Sequence, residues 1–72
     1  MSAAGTTVRA EDVRVGDRVR EASGELLSVT RIDAGFMGRP EMIAFVEDTA
    51  ARWRKLPMMV GSEVEVIRTS SR

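Results

Sequence analysis

The stretch Val13-Arg14-Val15-Gly16-Asp17-Arg18-Val19-Arg20 decides how this chain folds. Its three valines occupy odd positions and arginines lie between them, which is the alternation of a strand with one buried and one charged face. Asp17 would fall on the apolar face, and Gly16 beside it indicates a bend that relieves the conflict. The stretch therefore predicts a first strand that turns sharply.

Short apolar segments bounded by turn residues continue downstream. Residues 21–24 (Glu-Ala-Ser-Gly) are typical of a hairpin turn. In the second strand Leu27 and Val29 share one face, but Ile32 is three residues beyond Val29 and falls on the other. A β-bulge near Thr30 would bring all three to the same face. Two helical turns over residues 49–55 are an alternative to the fourth strand, and Pro57 ends that strand or places it at a sheet edge. The predicted strands are residues 13–20, 26–32, 42–46, 51–56 and 63–68.

The 72 residues are enough for one domain only. Five short strands at spacings of about ten residues predict a small all-β barrel or sandwich. We expect residues 1–10 to form a disordered tail, residues 11–68 to form the domain, and residues 69–72 to be a frayed C-terminus.

Composition removes several classes of function. The chain has eleven basic and eleven acidic residues and no cysteine, histidine or tyrosine. Zinc fingers, thiolate nucleophiles, disulfide frameworks and imidazole acid–base chemistry are therefore excluded. No catalytic or phosphate-binding motif occurs, so we expect no enzymatic activity, cofactor or metal site. Without a signal-peptide pattern or a long apolar run, we expect a cytoplasmic protein that does not enter a membrane.

The element around Gly16-Asp17-Arg18-Val19 resembles the opening strand of Src-homology-3-like barrels in bacterial proteins. The chain is also similar to small uncharacterised proteins of actinobacteria and their phages. This resemblance implies a five-stranded barrel, with Pro57 to Ser62 in the place of the one-turn helix before the last strand. It carries no function of its own, because Gly-Asp-x-Val opens many unrelated β-modules.

Three aromatic residues are too few for two known uses of such barrels. Polyproline-binding grooves and methyl-lysine cages both need several converging aromatic rings. This chain has only Phe36, Phe45 and Trp53. Both uses are therefore disfavoured.

The first candidate site is Arg52-Trp53-Arg54-Lys55. If Leu56 sets the inner face of the strand, Trp53 is outside and both arginines point inward, which is costly. If Trp53 is inside, it is a core residue, which so small a fold needs. Residues 25–49 hold five acidic and two basic side chains and residues 50–57 hold three basic ones, so charge is unevenly distributed in a neutral chain.

The second candidate site is the loop Gly35-Phe36-Met37-Gly38-Arg39-Pro40. An exposed Phe36-Met37 pair would suit docking on a partner, since methionine adapts to irregular surfaces. The alternative is that one of these side chains folds back over an open end of the barrel. The segment Leu56-Pro57-Met58-Met59-Val60 is apolar throughout, and any part left exposed would add to such a patch.

These observations favour a binding module that docks on a partner protein through Trp53, its basic neighbours and the Phe36-Met37 loop with Arg39. One alternative is a nucleic-acid-binding barrel that uses Arg52, Arg54 and Lys55, which zero net charge disfavours. Another is a homo-oligomer formed through edge strands.

Overall fold

The computed structural model describes residues 5–68, and within them the chain forms seven antiparallel strands and two short 3-10 turns. The 3-10 turns are Ala10–Asp12 and Phe36–Gly38. The strands are β1 (Thr6–Arg9), β2 (Arg18–Arg20), β3 (Leu26–Ser28), β4 (Arg31–Ala34), β5 (Met42–Asp48), β6 (Trp53–Met59) and β7 (Glu63–Ile67).

The strands form two sheets, one in the order β1-β7-β2-β3 and the other in the order β4-β5-β6. The all-β prediction is confirmed. The prediction of five strands is wrong, and in the described residues the two sheets do not join into one closed barrel.

A bend at residues 29–30 accounts for one of the two strands beyond the predicted five. The Val29 N–H donates to the carbonyl of Asp17 at 2.9 Å in the first sheet, whereas the Thr30 N–H donates to the carbonyl of Val46 at 2.8 Å in the second. Neighbouring residues therefore belong to different sheets, and the predicted second strand becomes β3 and β4. The β-bulge expected near Thr30 was wrong: the strand ends there and the chain crosses to the other sheet.

The predicted N-terminal tail accounts for the other extra strand. Disorder was the wrong expectation for residues 6–10, because β1 pairs with β7 and the Ala10 N–H donates to the carbonyl of Ser62 at 2.8 Å. Ala10 is fully buried, so the segment contributes to the core. Residues 1–4 and the predicted frayed end, residues 69–72, lie outside the described residues.

The first predicted strand is shorter than its alternation suggested. Only Arg18–Arg20 pairs as β2, and Val15 is 62% exposed in the turn before it. Gly16 has a φ of +100°, a conformation that glycine adopts without steric cost. The hairpin expected at residues 21–24 is confirmed by the Gly24 N–H, which donates to the carbonyl of Glu21 at 2.8 Å.

Strand β6 runs through Pro57 to Met59, so both the helical alternative for residues 49–55 and the one-turn helix before the last strand were wrong. The Thr49 N–H donates to the carbonyl of Arg52, and the Val60 N–H donates to the carbonyl of Glu41. Because backbone groups alternate in direction along a strand, the N–H and C=O groups of the even-numbered β6 residues point towards β5 and those of the odd-numbered residues point away. Pro57 therefore sits where its missing N–H faces the open edge. The predicted edge position is confirmed.

The core lies between the inner faces of the two sheets. Phe45, Leu27, Val19 and Val66 are among its fully buried side chains, and Leu56 and Met58 pack against it from β6. Burial of such side chains is the main stabilising term in a fold of this size.

Asp17 is the polar exception that the sequence pattern anticipated on the apolar face. It is buried, accepts a hydrogen bond from the Arg14 N–H at 2.9 Å, and pairs with Arg68 Nε at 3.0 Å. Burial favours the neutral acid, but the hydrogen bonds from Arg68 and Arg14 outweigh it and lower the pKa of Asp17. The carboxylate thus ties the turn before β2 to the end of β7.

This depressed pKa predicts an acid-sensitive stability contribution. It is present above the unfolded pKa of about 3.9 and is lost as the pH falls through the lower folded pKa. We expect Asp17→Asn to reduce the free energy of unfolding by about 1–3 kcal/mol at pH 7, with the difference from wild type shrinking below about pH 4. Urea titrations between pH 2 and pH 7 measure it.

An Asp12→Asn variant is the control, because Asp12 is exposed and its substitution should change the unfolding free energy by less than about 0.5 kcal/mol at pH 7. A wild-type-to-Asp17→Asn difference that stayed constant down to pH 2 would contradict the role given to the carboxylate.

Candidate interaction surface

The register of β6 leaves Trp53 outside the core. Leu56 and Met58 point towards the core, and Trp53, which lies an odd number of positions from each, points away. Trp53 is 58% exposed. Of the two registers that the sequence left open, the structure adopts the one in which the arginines beside Trp53 face inward.

Glutamates of the β2–β3 turn and of β5 pair with these arginines. Arg54 donates to Glu25 Oε1 at 2.6 Å and pairs closely with Glu21. Arg52 Nε donates to Glu47 Oε1 at 3.1 Å, and its Nη2 donates to the carbonyl of Leu26 at 2.8 Å. We call Glu21, Glu25, Glu47, Arg52 and Arg54 the arginine–carboxylate cluster.

The cluster offsets the cost of directing arginines inward. Glu47 is buried and the side chain of Glu21 is nearly so, and each would be unfavourable without a cationic partner. The hydrogen bond to Glu25, together with the negative charges of Glu25 and Glu21, raises the pKa of Arg54 despite its desolvation. The cluster links the β2–β3 turn to the β5–β6 turn, so it joins the two sheets at one end.

Ion pairs between the basic segment, residues 50–57, and carboxylates elsewhere in the chain balance the uneven charge seen along the sequence. Arg52 and Arg54 bind glutamates, and the Lys55 Nζ lies 3.5 Å from Asp33 Oδ2. Every cation of the basic segment therefore has a carboxylate partner from elsewhere in the chain. The uneven charge along the sequence does not become a basic patch on this part of the surface.

The opposite side of the β4-β5-β6 sheet, which we call the outer face, carries the side chains that alternate away from the core. Strand pairing arranges them in rows. The four rows across β4, β5 and β6 are Asp48 and Trp53; Arg31, Val46 and Lys55; Asp33, Ala44 and Pro57; and Met42 and Met59.

This face has a small apolar layer of its own. Ala44 and Val46 lie on it by register and are fully buried, yet they do not belong to the core cluster. Lys55 is directly opposite Val46, and its ammonium lies 4.9 Å from the centroid of the Phe36 ring. Side chains of the outer face thus shield the central strand from solvent.

Lys55 connects the two aromatic residues of this face. Its ammonium is 4.9 Å from the Phe36 centroid and 5.9 Å from the Trp53 ring centroid. Cation–π contacts of this kind are worth about 0.5–1 kcal/mol at exposed sites. Asp33 also accepts from Arg31 Nε at 2.9 Å, and this bond, with the charges of Arg31 and Lys55, lowers the pKa of Asp33.

The two large side chains of the loop after β4 differ in burial. Phe36 is half-buried and folds back over the sheet, whereas Met37 is 81% exposed. Met37 has a φ of +57°, a left-handed conformation that non-glycine residues seldom adopt, and Gly35 and Gly38 on either side are also left-handed. The loop therefore holds an exposed methionine at a strained backbone position.

Three of the seven predicted site residues come together: Trp53, Lys55 and Phe36. Met37 lies in the loop beside them. Arg52 and Arg54 belong to the arginine–carboxylate cluster, and Arg39 lies at the loop end in an exposed pair with Glu41 at 2.7 Å. Sequence reasoning missed Asp33, and it named the apolar segment 56–60 without saying that Pro57 and Met59 are its members on the outer face; their alternation with Trp53 along β6 is the signal that places them there.

Residues 5–68 contain no group of three or more potential ligands close enough to hold a metal ion. In the same part of the chain no helix has the length and hydropathy needed to cross a bilayer.

Comparison of the chain with protein families, with curated proteins and with solved structures finds no match. The resemblance to Src-homology-3-like barrels and to actinobacterial and phage proteins therefore stays a prediction.

The arginine–carboxylate cluster predicts an asymmetric response to mutation. Arg54→Met leaves the nearly buried Glu21 without a guanidinium partner and leaves Glu25 with Arg52 alone, 3.9 Å away, so we expect the free energy of unfolding to fall by more than the loss of an exposed ion pair would cause. A second change, Glu21→Leu, removes the uncompensated carboxylate and should restore much of this loss. Chemical denaturation measures both.

Arg39→Met is the matched control, because it breaks an exposed pair worth at most about 1 kcal/mol. Equal losses for Arg54→Met and Arg39→Met, or a double variant no more stable than Arg54→Met, would show that the cluster does not compensate inward-facing charge.

Proposed function

We propose that this protein is a non-enzymatic binding module that docks on a partner protein through the outer face of the β4-β5-β6 sheet. The observation that carries the proposal is Trp53, which is 58% exposed although a fold this small has few large side chains for its core. Exposed tryptophan is a common anchor of protein interfaces.

The chemistry around Trp53 supports a protein partner. Exposed methionines lie at the other end of the same region, Met59 on β6 and Met37 in the loop. Aromatic side chains and methionine are enriched at interface centres, whereas lysine and aspartate are depleted there. The central Asp33 pairs with both Lys55 and Arg31, so each of these charges already has a partner of opposite sign within the chain.

Nucleic acid is the weaker alternative. Binding to phosphates needs cations that are free to exchange their counterions. Arg52 and Arg54 are engaged by glutamates, and Lys55 by Asp33. We therefore favour a protein partner, and we expect no salt-dependent affinity for single- or double-stranded nucleic acid at low ionic strength.

Site-specific photo-crosslinking in native host cells tests the proposal. A photoreactive amino acid replaces Met59 on the outer face or, as control, Val15 in the turn before β2. The two positions are matched in exposure, at 56% and 62%. We expect a discrete protein adduct from position 59 only, and its loss when Trp53→Ala is added, because the anchor is then missing. Equal adducts from both positions, or no adduct from position 59, would contradict the proposal.

Because the backbone at Met37 is strained, we expect substitutions there to affect stability and docking differently. Met37→Gly relieves the left-handed backbone and should raise the free energy of unfolding by up to about 1 kcal/mol, while it removes a docking side chain. Met37→Ala removes the same side chain and keeps the strain. We expect both variants to reduce the adduct from position 59 and only Met37→Gly to gain stability.

Denaturation and crosslink yield measure the two effects. Full adduct formation by both variants would show that the Met37 side chain does not contribute to docking. Equal stability of the two variants would show that the backbone at Met37 is not strained.

A further inference from the structure

We infer that the partner seated on the outer face is a second copy of this chain, packed face to face about a two-fold axis. This inference rests on the proposed docking function and specifies its partner. It follows from the placement of complementary side chains on the rows of the outer face.

The apolar ends of the face are complementary to each other. Trp53 lies in the first row and Met59 in the last, six residues apart on one strand and so about 20 Å from each other. A two-fold axis across the strands, between the two middle rows, reverses the row order in the second copy. Trp53 of each copy then lies over Met59 of the other, and sulfur–aromatic contacts of this type are favourable.

The charged side chains match under the same operation. Arg31 and Asp33 occupy the two middle rows on β4, so Arg31 of each copy lies over Asp33 of the other. Lys55 and Pro57 occupy the same rows on β6, so Lys55 meets a proline and not a second lysine. Opposite charges thus face each other twice, and no like charges are brought together in these two rows.

Face-to-face packing is favoured over pairing of the β6 edges. Pro57 has no N–H at the open edge. Proline is one of the residues with which natural sheets block edge-to-edge association. The same strand therefore discourages sheet extension while its side chains on the outer face remain available.

The size of the face sets the strength of the dimer. Its rows cover about 20 Å along the strands and its three strands about 10 Å across them, which is at the small end of specific interfaces. We expect dissociation in the micromolar range or weaker, with monomer predominant in dilute solution.

Sedimentation velocity of the full chain across a concentration series from about 1 μM to 1 mM tests the inference. The expected result is a monomer–dimer equilibrium that Trp53→Ala weakens at least about tenfold. Val15→Ala, which truncates an equally exposed apolar side chain away from this face, is the control and should leave the equilibrium unchanged. A monomer throughout the series, or equal weakening by both variants, would overturn the inference.

Mixing two charge variants gives a second readout that a structural defect alone would not produce. Arg31→Glu places two carboxylates opposite each other in the dimer, and Asp33→Arg places two cations opposite each other, so each variant alone should dimerise several-fold more weakly. In an equimolar mixture every introduced charge faces an opposite one, and we expect a heterodimer. Circular dichroism checks that each variant is folded. Folded variants that form no heterodimer would contradict the two-fold arrangement.

The two proposals fail in different ways. Adducts from position 59 that contain only another protein, with a chain that stays monomeric, overturn the second-copy inference and leave the docking function standing. Absence of any Trp53-dependent adduct overturns both. An adduct of twice the chain mass, together with the mixing result, supports both.

Discussion

Arg54 is held by Glu21 and Glu25, and the register of β6 and the position of Trp53 depend on this contact. A strand with alternating faces has only two registers, and a guanidinium directed inward is unfavourable without carboxylates to receive it. Because the β2–β3 turn supplies them, β6 can direct Leu56 and Met58 to the core. Trp53 then has to lie outside.

With Trp53 outside, the β4-β5-β6 sheet carries apolar side chains on both of its faces. Its inner face belongs to the main core, while its outer face carries a smaller apolar layer in which Ala44 and Val46 are fully buried. Lys55 and Phe36 lie over that layer at a cation–π distance. The central strand is thus shielded on both sides, and the exposed apolar groups are left at the ends of the face, where they are available to a partner.

Local patterns predicted the fold class and several turns. The period-two alternation, the hairpin at residues 21–24 and the edge position of Pro57 all follow from residues close in sequence. The register of β6 could not be derived in this way, because the carboxylate that neutralises Arg54 comes from Glu21, 33 residues earlier. Strand β1 was missed for a similar reason: its single apolar residue, Val8, lies opposite Val64 of β7, at the other end of the chain.

Nuclear Overhauser effects from the Trp53 indole protons test the β6 register most directly. We expect contacts to the side chain of Lys55, and none to Phe45 or Leu27 in the core. Contacts from the indole to Phe45 or Leu27 would place Trp53 inside and Arg54 outside. That result would contradict the arginine–carboxylate cluster and, with it, the docking surface.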